Sequence, residues 1–108
     1  VTEQNFVFDP EQGRLRLSGE LTIYQAAAAK AALRQALEAA TTLEVDLAAV
    51  TELDSAGLQL LLWLKAEGVR LGRTVSLVNH SEPVLAVLTL LNVDRALGDP
   101  VVLSSRTE

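Results

Sequence analysis

The chain has 108 residues, one domain's worth, and a formal net charge of −5. Its apolar fraction of 49% argues against disorder, and its length lets a single core form without metals or disulfides. With no cysteine there is no disulfide framework, thiolate zinc site or cysteine nucleophile, and the acidic balance disfavours nucleic acid and anionic lipid as partners.

Val1–Pro10 is polar and strand-like, unlike a signal peptide, and no unbroken apolar run exceeds that of Leu60–Leu64. A membrane helix needs about 20 such residues. The expectation is a cytoplasmic protein with no direct membrane insertion. Asn5–Asp9 reads as a short strand, Pro10 and Gly13 as a turn, and Arg14–Ser18 as a strand with Leu15 and Leu17 on one side. Together they predict an antiparallel hairpin. Ala26–Ala40 is rich in strong helix formers. Its apolar stripe is Ala26, Ala29, Leu33, Ala36, Leu37 and Ala40, with Lys30, Arg34 and Glu38 on the wet face. Leu43–Leu47 is the next strand, followed by a linker.

Ser55–Leu71 is a second helix, with Ser55 at its N-cap and Gly72 at its stop. Thr74–Val78 is a β-branched strand, and Ser81–Asn92 a third helix, with Ser81 able to cap it and Pro83 in its first turn. Val101–Leu103 is a candidate edge strand and Ser104–Glu108 a solvated tail. The order ββαβαβα(β) predicts one α/β domain over residues 1–108: a mixed sheet of four to five strands, parallel where helices intervene, with helices mainly on one face.

Catalytic signals are sparse. The one histidine, His80, ends a strand and could in principle approach Ser55, but an ordinary polar loop residue is the simpler reading. Gly19 and Gly57 stand alone rather than in a phosphate-binding loop. Asp46, Asp54 and Asp94 lack the spacing of converging metal ligands. No metal, cofactor or catalytic residue is therefore expected, and the chain is not read as an enzyme.

One stretch stands out: Leu43–Leu64, where a strand leads into D-S-A-G and a leucine-rich helix. Ser55 falls at an electropositive helix start with free N–H groups, which would stabilise a phosphate. Plain capping by Ser55, with Asp54 opposing the dipole and Gly57 packing closely, explains the same residues equally well on their chemistry alone.

D-S-A-G-L (Asp54–Leu58) after L-E-V-D-L-A-A-V resembles the signature of STAS domains, the family of anti-sigma-factor antagonists. L-S-G-E-L-T (Leu17–Thr22), G-R-T-V-S-L-V-N (Gly72–Asn79) and V-L-A-V-L-T-L-L-N-V (Val84–Val93) resemble the family's other segments, in order over nearly the whole chain. The resemblance implies a bacterial protein-binding module in signalling, with Ser55 phosphorylated by a partner serine kinase that is also the anti-sigma factor.

Ala56 replaces a frequent second hydroxyl, and Thr22 stands where many antagonists have aspartate. The combination is similar to stand-alone members found with chemotaxis systems. Other small members serve the transporter that maintains outer-membrane lipid asymmetry, which gives an alternative: a subunit docking on the transporter's ATPase. The resemblance places Thr22, Ile23, Tyr24 and Gln25 at the rim of the Ser55 surface. The partner surface then comprises Thr22, Ile23, Tyr24, Asp54, Ser55, Ala56, Gln59 and Trp63. Nothing in the sequence argues for a bound GTP or fatty acid.

Helical spacing sets Gln59, Trp63, Ala66, Glu67 and Arg70 on one polar stripe, with Leu58, Leu61, Leu62, Leu64 and Val69 around the rest. Trp63 is then either an exposed anchor for a partner or core covered by a loop or the third helix. Tyr24, by its position alone, fits a half-buried residue at the helix start equally well. Phosphate on Ser55 would add about −1.5 to −2 charges. The expected switch is one of surface charge, without refolding.

Overall fold

The computed structural model describes residues 5–91. The elements are β1 (Phe6–Asp9), β2 (Arg14–Leu21), α1 (Ala26–Ala39), β3 (Thr42–Leu53), α2 (Ser55–Arg70), β4 (Thr74–Val78) and α3 (Glu82–Leu91). The expected fifth strand at Val101–Leu103, the tail Ser104–Glu108 and Asp94 lie outside the described residues. The sheet runs β1-β2-β3-β4, with β1 antiparallel to β2 and the two remaining pairs parallel. This is the expected mixed α/β architecture.

Alternation builds the sheet. Leu15 and Leu17 of β2, Leu43, Val45 and Leu47 of β3, and Val75 and Leu77 of β4 are buried on its inner side. Ala29, Leu33, Ala36 and Leu37 of α1 and Leu58, Leu60, Leu61 and Leu64 of α2 join them in one core, which Val84 and Leu88 of α3 extend. On the outer side, the Arg14 guanidinium donates to Glu44 from Nε at 3.1 Å and Nη2 at 2.7 Å. Arg14 and Arg16 also stand 3.8 and 3.9 Å from the carboxylate of Asp46. Those two cations, with the Ala48 N–H donating to Asp46 Oδ1 at 2.9 Å, account for an aspartate buried to 4% exposure.

Strand β3 runs to Leu53, so the residues expected to form a linker continue the ladder. Its pairing with β2 shifts register between Arg16 and Ser18 and again between Gly19 and Glu20. Each shift sets an extra β3 residue against β2, in the manner of a bulge. Past Leu47 only Val50 and Leu53 are buried, a spacing of three instead of two, which hides the strand from an alternation test. The bulges bring the two strands level at Leu21 and Leu53. The loop after β2 therefore lies beside the start of α2.

Helix α2 stops at Leu71 and Gly72. Gly72 has a φ of 72°, which glycine adopts at no steric cost, and the Arg73 N–H donates to the Gly68 carbonyl at 2.7 Å. Val69, expected on the apolar side, is 80% exposed; in this last turn it is Gly68 that is buried, against Val75 of β4. Ser81 precedes α3 and its carbonyl accepts from the Leu85 N–H at 2.9 Å. The Ser81 hydroxyl makes no hydrogen bond, so the expected side-chain cap is not formed.

Candidate functional site

The first turn of α2 and the loop between β2 and α1 form one surface. Asp54, not Ser55, is the N-cap of α2: its backbone is extended and its Oδ1 accepts from the Gly57 N–H at 2.9 Å. Its other oxygen, Oδ2, accepts from the Ile23 N–H at 3.0 Å. Ser55 is consequently the first residue of the helix, exposed and free of capping duty. Gln59, one turn on, is exposed on the same side, and Ala56 is half-buried between them and the core.

Gly57 explains how closely these elements meet. A Cβ there would overlap the Leu21 carbonyl oxygen, which closes β2, and would also crowd Leu53. The Asp54 N–H also donates to that carbonyl, at 3.4 Å. A residue without a side chain at the fourth place of D-S-A-G thus lets α2 begin against the end of β2. The cap holds the Asp54 carboxyl below the usual carboxylate range, first through the Gly57 N–H and next through the Ile23 N–H.

The loop presents two apolar side chains to solvent: Ile23 is 65% exposed and Tyr24 89%. Tyr24 thus takes the exposed position and not the half-buried one. Thr22 departs from the expectation that it rims this surface. It is buried, and its hydroxyl donates to Gln25 Oε1 at 2.6 Å, closing the loop from within. Ile23, Tyr24, Asp54, Ser55 and Gln59 therefore come together, with Thr22 beneath them.

Trp63 lies about two turns further along α2. It is half-buried and packs on the core, with cations of α1 over its ring. Lys30 Nζ stands 4.9 Å from its ring centroid and Arg34 Cζ 5.3 Å. Glu67, on the same stripe, accepts from Arg70 Nε at 3.0 Å; that bond, with smaller help from Arg34 and Lys30, lowers its carboxyl pKa.

Pairing ends β4, the strand that leads to His80, well short of the start of α2. Val78, at the end of β4, is level with Asp46, whereas β3 continues seven residues further, to Leu53. At about 3.3 Å per residue that is roughly 20 Å of strand. Among the described residues, no cluster of His, Cys, Asp or Glu could hold a metal ion, and no helix is long and apolar enough to cross a membrane.

Comparison with solved structures shows the same fold. The Thermotoga maritima protein TM1081, assigned as an anti-sigma factor antagonist, superposes with a TM-score of 0.70 at 23% identity, covering 94% of this chain and 89% of that one. The NMR structure of TM1081 gives 0.69 at 20% identity, over 99% and 88%. The unphosphorylated anti-sigma factor antagonist SpoIIAA gives 0.63 at 23% identity, over 85% and 82%. No curated protein matches the sequence significantly. The family model described as "Mlab, STAS domain" matches residues 5–103, so the chain belongs to the STAS domain family.

Proposed function

We propose that this STAS domain is a phosphorylation-switched protein-binding module of bacterial signalling, with Ser55 as the acceptor. The reading rests on one observation: an exposed hydroxyl at the first residue of α2, beside the exposed Ile23 and Tyr24. Apolar side chains offered singly to water at a loop tip supply contact area, and the neighbouring hydroxyl supplies control. Phosphate there brings about −1.5 to −2 charges next to the Asp54 carboxylate. A docked partner would then have to desolvate both or tolerate their repulsion. The partner class is a serine kinase that doubles as anti-sigma factor, or another cytoplasmic signalling protein such as a chemotaxis component.

A second reading is favoured by the family description naming Mlab. There the same surface docks on the ATPase subunit of a lipid-asymmetry transporter, and Ser55 acts as an unmodified contact. Affinity capture with the wild-type chain, Ser55→Ala, Ser55→Glu and Tyr24→Ala separates the two. The switch predicts one protein held by wild type and Ser55→Ala, and lost with Ser55→Glu and Tyr24→Ala. Capture of an ATPase subunit by a chain carrying no phosphate in its native cell favours docking, and a partner indifferent to all three substitutions excludes both.

A further inference from the structure

Asp54 is the link between the two halves of this surface. Its two carboxylate oxygens serve two elements: Oδ1 takes the Gly57 N–H of α2, and Oδ2 the N–H of Ile23, 31 residues before Asp54 in the loop. Within the loop, the Gln25 N–H donates to the Thr22 carbonyl at 3.0 Å and the Thr22 hydroxyl donates to Gln25 Oε1. Among the described residues, the Ile23 amide is thus the polar point at which the exposed part of the loop is fastened to α2. Thr22 is buried below and the Gln25-to-Thr22 bond closes the turn around Ile23 and Tyr24, so the carboxylate oxygen is what holds that turn against α2.

We infer that Asp54 is the positioning residue of the contact surface, a two-ended tie that negative charge arriving at Ser55 unfastens from the loop. The inference rests on the proposed role of Ser55 as acceptor. A phosphoryl group on the adjacent residue repels the carboxylate and offers oxygens to the same amide donors of the first turn. Asp54 can then no longer satisfy both ends, and Ile23 and Tyr24 lose their fixed presentation while the core stays as it is. Aspartate suits this arrangement because it carries two equivalent acceptors. Asparagine keeps one for Gly57 and turns an NH₂ donor towards the Ile23 N–H.

Amide hydrogen exchange on the full chain, read by NMR, tests the tie without any partner. In Asp54→Asn, exchange at Ile23 should rise by about tenfold or more, with Gly57 and the β3 amides close to wild type. Ser55→Glu, which leaves Asp54 intact, should accelerate Ile23 in the same selective way. Unchanged exchange at Ile23 in either variant overturns the inference. So does acceleration at Ile23 matched by the β3 amides, since that marks general loosening. A selective rise at Ile23 together with a partner indifferent to Ser55→Glu would keep the tie and remove the switch, so the two failures are told apart.

Discussion

At the start of α2 a carboxylate holds a loop by its backbone and leaves Ile23 and Tyr24 in water. About two turns along the same helix, Trp63 does the reverse: its ring is drawn under Lys30 and Arg34 and against the core, joining α2 to α1. Both places join α2 to a neighbour through polar groups, but one displays apolar surface and the other conceals it. An aromatic beside cations is already partnered within the chain. Exposed apolar residues whose backbone is tied and whose side chains touch little are the ones free to meet another protein.

Substitutions at each place can break that contrast. The largest effect belongs to Gly57→Ala. In an open helix the change would stabilise by about 1 kcal/mol. Against the Leu21 carbonyl it should instead destabilise by about 2–3 kcal/mol, measured by urea unfolding, because the atom in the way is backbone. Neutral or positive stability would mean that α2 does not begin where β2 ends.

Trp63→Ala comes next, with a loss of about 2 kcal/mol in stability, since a half-buried ring and its two cation contacts disappear together. Arg34→Gln should cost about 0.5 kcal/mol by the same measurement. If Trp63→Ala instead folds at wild-type stability and loses a partner, the residue belongs with the displayed surface.

The tie at Asp54 also has a pH signature. Its carboxyl titrates lower in the folded chain than in the unfolded one, chiefly because of the Gly57 and Ile23 N–H donors. The stability it supplies is therefore fully present above the unfolded aspartate pKa and is lost as pH falls through the lower folded value. The stability difference between wild type and Asp54→Ala should be flat at neutral pH and vanish on strong acidification. A difference independent of pH would mean that the carboxylate charge is not what holds the cap.

The smallest effect is expected at Ser55. Because Asp54 performs the capping, Ser55→Ala should change stability by less than about 0.5 kcal/mol. A drop of about 1 kcal/mol or more would return the cap to Ser55 and make the hydroxyl structural.

How far the sequence discloses this arrangement depends on whether local rules or long-range geometry decide each residue. The α1 stripe, β4 and the glycine at the fourth place of D-S-A-G follow from periodicity and close packing, and are legible. The far half of β3 is not, because two register shifts against β2 replace alternation with a spacing of three. Asp54 and Ser55 are both good caps, and only the position of the Ile23 amide, 31 residues away, favours the aspartate with its two oxygens. The family resemblance puts Thr22 at the rim, but the residue is buried and its hydroxyl is satisfied by Gln25 within the loop. Trp63 lies on a polar stripe, where helical spacing alone does not disclose the cations of the neighbouring helix.

The central claim is that the Ser55 hydroxyl, standing free of structural duty, carries a phosphate. Intact mass and phosphate-affinity electrophoresis of the protein isolated from the cells that make it, beside Ser55→Ala, address that claim most directly. The account predicts a phosphorylated species in the wild type that is absent from Ser55→Ala. A phosphate that persists in Ser55→Ala, or a wild type that never carries one under any growth condition, would contradict it.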